Sequence, residues 1–90
     1  YLAAHDLTSG RRLWSKNTTM GAVVEIVPVR ADRVLTTHLG GQLTLVDLAT
    51  GSVRWQHKPR SEGERVYAVN VVADTVFAAG VGGVWAFRLP

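Results

Sequence analysis

Short runs of apolar residues alternate with polar turn residues along the whole chain, and each run has the length of a β-strand. In the middle of the chain these runs cover residues 23–29, 34–38, 43–46 and 53–57. They are rich in valine and are separated by glycines and aspartates, which is typical of antiparallel strands joined by tight turns. Pro28 cannot donate a hydrogen bond, so we expect the first of these strands to expose an edge or to carry a bulge there.

The turn between the third and fourth of these strands occurs twice, 41 positions apart. Residues 2–14 read LAAHDLTSGRRLW and residues 43–55 read LTLVDLATGSVRW, which share the pattern Asp-Leu-x-[Ser/Thr]-Gly-x-x-x-Trp. The repeated positions are Asp6, Gly10 and Trp14 in the first copy and Asp47, Thr50, Gly51 and Trp55 in the second. We interpret the aspartates and glycines as turn residues, because an Asp carboxylate accepts backbone N–H groups and glycine tolerates a positive φ.

A third copy of the repeat begins before the chain ends. Residues 31–37 match residues 73–79 at a shift of 42, and residues 43–48 match residues 84–89 at a shift of 41. Short strands that repeat with a period of about 40 residues predict propeller blades. We therefore predict nine strands, no helix longer than one turn, and a single β-propeller domain over residues 1–90. Its parts are the end of one blade (1–18), a complete blade (19–59) and the start of the next (60–90).

The repeat resembles the blades of the PQQ-like, or quinoprotein alcohol dehydrogenase-like, β-propeller family. A blade of that family reads Pro-Val, Val-aromatic, Gly-x-Leu, Asp and Thr-Gly-x-x-x-Trp. The same order appears here as Pro28-Val29, Val34-Leu35, Gly41-Gln42-Leu43, Asp47 and Thr50-Gly51 before Trp55. The resemblance implies an all-β propeller of four-stranded antiparallel blades. It also implies that Trp14 and Trp55 dock on a neighbouring blade, where an indole buries apolar area and its N–H reaches a partner.

Two other propeller families fit the pattern less well. WD-repeat blades end their third strand with a Trp-Asp pair, and this sequence contains no such pair. Kelch blades carry paired glycines after the second strand, as at Gly40-Gly41, but they lack the Asp, Thr-Gly, Trp order found here.

Composition narrows the function classes further. Of the 90 residues 47% are hydrophobic and 19% are charged, which favours a packed core over disorder. The net charge of +3 comes from scattered arginines and lysines, so we expect a solvated surface and no nucleic-acid partner. The absence of cysteine excludes disulfides and cysteine-ligated zinc. No apolar stretch is long enough to cross a bilayer, so membrane attachment is expected only through sequence outside this chain.

Candidate catalytic groups are few. The three histidines, His5, His38 and His57, lack the short spacing of a metal site. Glu25 stands among apolar residues of the first strand of its blade, where we expect it to face the wet central channel of the propeller, and Tyr67 is expected in the corresponding place of the next repeat. One carboxylate is too few for calcium, which takes ~6–8 oxygen ligands. We therefore predict no catalytic, cofactor-binding or metal-binding residue in this chain.

The resemblance covers enzymes as well as scaffolds, so it leaves more than one function open. We favour a non-enzymatic scaffold that mediates protein–protein interaction through exposed loops such as residues 58–65, in a periplasmic or other extracytoplasmic location. The alternatives are a fragment of a PQQ-dependent quinoprotein dehydrogenase and a sensor domain of a membrane-anchored protein. PQQ and calcium are expected only if other blades supply their site. A closed ring of ~6–8 blades takes roughly 250–330 residues, so we expect remaining blades or other copies to complete it.

Overall fold

The computed structural model describes residues 2–16 and 22–90, and these residues form β-strands joined by short turns. The strands are β1 (Leu2–His5), β2 (Arg12–Lys16), β3 (Val23–Arg30), β4 (Arg33–His38), β5 (Leu43–Asp47), β6 (Val53–His57), β7 (Val66–Val72), β8 (Thr75–Gly80) and β9 (Gly83–Arg88). A single 3-10 turn at Glu62–Glu64 is the one helical element in the described part of the chain. The all-β prediction is confirmed.

The strands form three antiparallel sheets in which neighbours in sequence are neighbours in space. The first sheet is β1–β2, the second is β3–β4–β5–β6 and the third is β7–β8–β9. Such a meander of four strands is the architecture of a propeller blade. The predicted blade boundary at residues 18 and 19 lies outside the described residues.

The sequence repeat is also a repeat of strand register. Ala4 pairs with Trp14 and Leu45 pairs with Trp55, and a β-bulge follows each of these pairs at the same place. The bulge lets the strand that carries the tryptophan twist away from the plane of its partner. The two copies are thus alike down to a single irregularity in hydrogen bonding.

A second bulge repeats at the start of the second and third sheets. Val23 pairs with His38 and Glu25 with Thr37, which leaves Val24 as the extra residue. In the third sheet Val66 pairs with Gly80 and Ala68 with Ala79, which leaves Tyr67 as the extra residue. Because Thr37 and Ala79 are equivalent, the register places Ala68 where Glu25 stands in the second sheet. The prediction that Tyr67 takes that place is wrong by one residue. The first strands of the two sheets are related by a shift of 43 positions, from Val23 to Val66, whereas their second strands are related by a shift of 42.

Pro28 lies on an edge strand, as expected. It is opposite Val34 in β4, and the register of the two strands shifts between Pro28 and Arg30. An edge position with a bulge beside it accommodates a residue that has no N–H to donate.

The main core lies between the second and third sheets. Its fully buried members are Leu35, Leu43, Leu45, Val66, Val76, Ala78 and Leu89. Strand pleating turns alternate residues of each strand to the same face, so one face of each sheet meets the other. The first strands of the two sheets, β3 and β7, lie next to one another, as the innermost strands of neighbouring blades do. The described residues contain no helix that is long and apolar enough to span a membrane.

Candidate functional site

The repeated Asp-Gly turn is held by similar hydrogen bonds in both copies. The Asp6 carboxylate accepts the backbone N–H groups of Thr8 and Ser9 at 2.9 and 3.0 Å, and the Asp47 carboxylate accepts that of Ala49 at 2.9 Å. The backbone N–H of the turn glycine donates to the carbonyl oxygen of the aspartate at 2.8 Å in each copy. Each aspartate therefore organises the turn that follows it.

These hydrogen bonds also set the protonation state of the two aspartates. Backbone donors, chiefly that of Ser9, lower the pKa of Asp6 below its ordinary value. The backbone donor of Ala49 and the guanidinium of Arg54, 3.1 Å from the carboxylate, lower the pKa of Asp47. A carboxylate that is stabilised in its charged form is a poor carrier of protons near neutral pH.

The two repeated tryptophans connect successive sheets. The indole N–H of Trp14 in the first sheet donates to the carbonyl oxygen of Leu48 in the second sheet at 2.7 Å, and its ring covers Gly51. Trp55 in the second sheet packs against Phe87 in the third, with ring centroids 5.2 Å apart and tilted planes. Both indoles are partly buried. Each tryptophan therefore contacts the sheet that follows its own along the chain.

Polar contacts join the second and third sheets near the repeated turns, at what we call the aspartate end. The Arg30 guanidinium donates to Asp74 at 2.5 and 3.0 Å, across the turns that follow β3 and β7. The Arg33 guanidinium donates to the carbonyl oxygen of Pro90 at 2.5 Å. These exposed contacts connect the two sheets, and each adds little to stability because water screens it.

The opposite end, which we call the hairpin end, carries the β4–β5 and β8–β9 hairpins and the connection of residues 58–65. This connection runs close against both hairpins. A Cβ added at Gly41 would overlap the side chain of Arg65, and one added at Gly82 would overlap the backbone of Gly63. The backbone N–H of Val66 donates to the carbonyl oxygen of Gly41 at 2.9 Å. The glycines at the hairpin tips are therefore needed for close approach as well as for turning.

The charged side chains of this connection are unequally engaged. The Glu64 carboxylate accepts the backbone N–H of Arg60 at 2.7 Å, and Glu62 pairs with Arg65 at 3.4 Å. Lys58 and the Arg60 guanidinium have no carboxylate partner among the described residues. Both residues are exposed.

The three histidines are separated in the structure. His38 is buried in the second sheet, 3.0 and 3.2 Å from the hydroxyl oxygens of Thr36 and Thr44. His5 is exposed at the end of β1, at the aspartate end, and the imidazole of His57 is 2.8 Å from the carbonyl oxygen of Glu64. In residues 2–16 and 22–90 no three His, Cys, Asp or Glu side chains form a group that could hold a metal ion.

Glu25 is exposed on β3, the first strand of the second sheet. Its neighbours on that strand, Val24 and Ile26, are exposed large apolar residues. In the described part of the chain no group of three or more His, Cys, Asp or Glu side chains that could hold a metal ion forms around it. That it faces a central channel stays a prediction.

Sequence reasoning missed one set of residues at the hairpin end. The tips of the two hairpins carry large aliphatic side chains, Leu39 and Val81, that are 71% and 75% exposed. The signal was present, because each aliphatic residue lies beside turn glycines at equivalent positions of two repeats. An apolar residue at such a place is easily assigned to the end of a strand instead of the surface.

Comparison with known proteins identifies similar sequences and folds. A family model described as Outer membrane protein assembly factor BamB matches residues 1–88. The crystal structure of BamB from Moraxella catarrhalis is similar with a TM-score of 0.65 at 20% sequence identity, which shows a common fold. That match covers 94% of this chain and 30% of the BamB chain, so this chain spans less than a third of its structural relative. No curated protein sequence matches the chain.

Proposed function

This chain belongs to the BamB-like family of PQQ-type β-propeller repeats, and from that premise we propose that it is part of a non-enzymatic scaffold that binds a protein partner. We place the scaffold outside the cytoplasm, in the cell envelope. The description of the family as an outer membrane protein assembly factor supports both statements.

The observation that carries the non-enzymatic part of the proposal is the engagement of four of the seven carboxylates. Asp6 and Asp47 hold turns, Asp74 pairs with Arg30, and Glu64 fixes the connection before β7. Side chains that hold the backbone in this way are occupied in the folded protein. General acid–base catalysis instead needs a titratable group that is free to reach a substrate.

The residues present do not fit a PQQ–calcium site. Calcium prefers several converging oxygen ligands, and among the described residues Glu25 belongs to no group of three or more His, Cys, Asp or Glu side chains that could hold a metal ion. The adjacent cysteines that quinoprotein dehydrogenases use beside PQQ are also absent from this sequence. We derive no catalytic step through this cofactor.

Position-specific photo-crosslinking in cells tests the scaffold function. A photoreactive phenylalanine replaces Ser61 in the exposed connection of the hairpin end, and a matched variant carries it at Thr8 in the exposed turn of the aspartate end. We expect a covalent adduct with another protein that depends on the position of the photoreactive group. If no position at either end of the intact protein yields a protein adduct, the scaffold function is wrong.

The dehydrogenase alternative has its own test. Calcium and PQQ are added to the intact protein, and dye-coupled alcohol oxidation is measured. We expect no turnover. Turnover that disappears in the Glu25→Ala variant would replace the scaffold with an enzyme.

A further inference from the structure

Large exposed apolar side chains repeat at the hairpin end from one sheet to the next. Leu39 and Val81 occupy equivalent hairpin tips, 42 positions apart, and are 71% and 75% exposed. Val24 and Tyr67 are the extra residues of equivalent bulges and are 62% and 49% exposed. Hairpin tips usually carry small polar residues. Apolar residues at the same two places of successive repeats therefore indicate a surface for contact.

The bulges explain how residues of an otherwise regular strand reach this surface. A bulge inserts one unpaired residue and re-aims its side chain. The backbone N–H of Leu39 donates to the carbonyl oxygen of Ala22 at 3.0 Å, which holds the hairpin tip beside the start of β3. Val24 and Leu39 thus belong to the same end of the second sheet, and Tyr67 and Val81 to the same end of the third.

The connection of residues 58–65 makes the two pairs one continuous surface. It contacts Gly41 of one hairpin and Gly82 of the other, so it fills the space between the two tips. It also contributes the exposed Lys58 and Arg60, whose side chains have no carboxylate partner among the described residues. The two carboxylates of the connection are engaged, Glu62 by Arg65 and Glu64 by the backbone N–H of Arg60, so Lys58 and Arg60 add positive charge to the aliphatic and aromatic side chains of the surface.

Stacking of further blades does not cover this surface. The second and third sheets meet face to face through Leu35, Leu43 and Val76, whereas hairpin tips lie at the ends of the strands. Phe77 and Val84, which are exposed on the outer face of the third sheet, are available to a further blade. The hairpin-end residues need a partner of another kind.

We propose that the hairpin-end surface, formed by Val24, Leu39, Tyr67, Val81, Lys58 and Arg60, binds a protein segment in which aliphatic side chains are interspersed with carboxylates. The aliphatic tips provide apolar area to be buried, and the two cations favour acidic residues. This inference rests on the proposed scaffold function and names the surface that performs it. A nucleic acid is disfavoured, because phosphate recognition takes a larger set of cations.

Three fluorescent peptides test the chemistry of the partner on the intact protein. The first alternates leucine with aspartate and glutamate, the second replaces its acidic residues with lysine, and the third replaces its leucines with serine. We expect binding of the first peptide, measured by fluorescence anisotropy, and at least about tenfold weaker binding of the other two. Equal binding of the lysine peptide would overturn the acidic assignment.

Substitutions locate the binding surface. Leu39→Asp and Val81→Asp are each expected to weaken binding of the first peptide at least about tenfold, because each places a negative charge in the interface with the carboxylates of the bound peptide. Leu7→Asp is the matched control, since Leu7 is 102% exposed in a turn at the aspartate end. Leu39→Ser, which removes the aliphatic side chain without adding a charge, is also expected to weaken binding of the first peptide. Thermal unfolding of each variant shows that the fold is unchanged.

The outcomes separate this surface from the scaffold function. If photo-crosslinking yields a partner but Leu39→Asp and Val81→Asp leave both its adduct and peptide binding unchanged, the surface is wrong and the scaffold stands. If no partner is crosslinked at either end, both fall. A surface occupied by a second copy of the chain would appear as concentration-dependent self-association that Leu39→Asp abolishes, and this result would also overturn the proposal.

Discussion

Two glycines lie at equivalent places of the repeated turn, and a comparison of their surroundings distinguishes the effect of backbone strain from the effect of close packing. Gly10 and Gly51 have nearly the same positive φ, 74° and 77°. A Cβ at Gly10 would meet no atom within 4 Å, whereas one at Gly51 would lie 2.7 Å from the ring of Trp14. Gly10 is required only by the backbone conformation of the turn. Gly51 is required by that conformation and also leaves space for the indole of Trp14 in the preceding sheet.

We expect Gly10→Ala to destabilise the intact protein by about 1–2 kcal/mol, the usual effect of a side chain in the left-handed region. Gly51→Ala is expected to add about 1–3 kcal/mol to that, because the methyl group overlaps the indole. Urea unfolding of both variants measures the difference. Equal losses of stability would show that Trp14 does not pack on Gly51.

The lowered pKa of Asp47 predicts how stability depends on pH. The folded pKa lies below the unfolded value of about 3.9, so the unfolded chain binds more protons in acid. The stabilisation is complete above about pH 5 and is lost as the pH falls through the folded pKa. Asp47→Asn is expected to reduce the loss of stability in acid, as followed by urea unfolding between about pH 7 and about pH 2.5.

Leu7→Ala, which changes a fully exposed turn residue and leaves every titratable group in place, provides the control for this prediction. Its acid limb is expected to remain close to that of the unmodified protein. A variant at Asp47 with an unchanged acid limb would contradict the role of the turn hydrogen bonds.

At the scale of elements, the close packing of the 58–65 connection against the third sheet restricts which side chains that sheet can carry. The end of the 58–65 connection runs so close to β8 that a Cβ at Gly80 would overlap the carbonyl of Arg65. In the second sheet the equivalent of Gly80 is His38, and that side chain lies beside two threonine hydroxyls. The same place in two repeats therefore holds a large side chain in one and requires none in the other.

We expect Gly80→Ala to destabilise the protein by about 1–3 kcal/mol, since backbone atoms of two elements must move apart. Gly63→Ala, in the same region, is the matched control because its Cβ would meet only a Ser61 hydroxyl at 3.9 Å. Denaturant midpoints compared at constant m-value give the two effects. A Gly80→Ala variant as stable as Gly63→Ala would show that the connection packs elsewhere.

At the scale of the whole molecule, the repeat leaves equivalent residues in different surroundings. Leu43 is fully buried between the second and third sheets, while Val84, 41 positions later, is 76% exposed on the third. Strand register makes these two residues equivalent, since Thr37 pairs with Leu43 and Ala79 with Val84. A further sheet stacked on the third would bury Val84 as the third sheet buries Leu43.

In the intact protein we expect Leu43→Ala to lower the free energy of unfolding by about 2–5 kcal/mol. Val84→Ala is expected to lower it by about 1–2 kcal/mol, because two methyl groups leave a buried interface. Leu7→Ala, at a fully exposed turn residue, is the control and should change it by less than about 0.5 kcal/mol. Val84→Ala within that range would contradict stacking of a further blade on the third sheet.

The fold class, the strand pattern and the family could be predicted from the sequence. Spacing of apolar runs and turn glycines determines where strands begin and end, because these are local backbone preferences. The change of the repeat shift from 42 to 41 beside the glycines reappears as the register of the β4–β5 and β8–β9 hairpins. Repetition strengthened each local signal by a second copy.

The candidate surface could not be predicted in the same way. Sequence alone assigned Tyr67 to the place of Glu25, because it does not show which residue of a strand a bulge leaves unpaired. It likewise did not show that Leu39 and Val81 are exposed or that the 58–65 connection lies between their hairpins. Local pattern determined the strands of this protein, and tertiary structure decided which apolar side chains are buried, since burial depends on the neighbouring sheets and connections rather than on the residue itself.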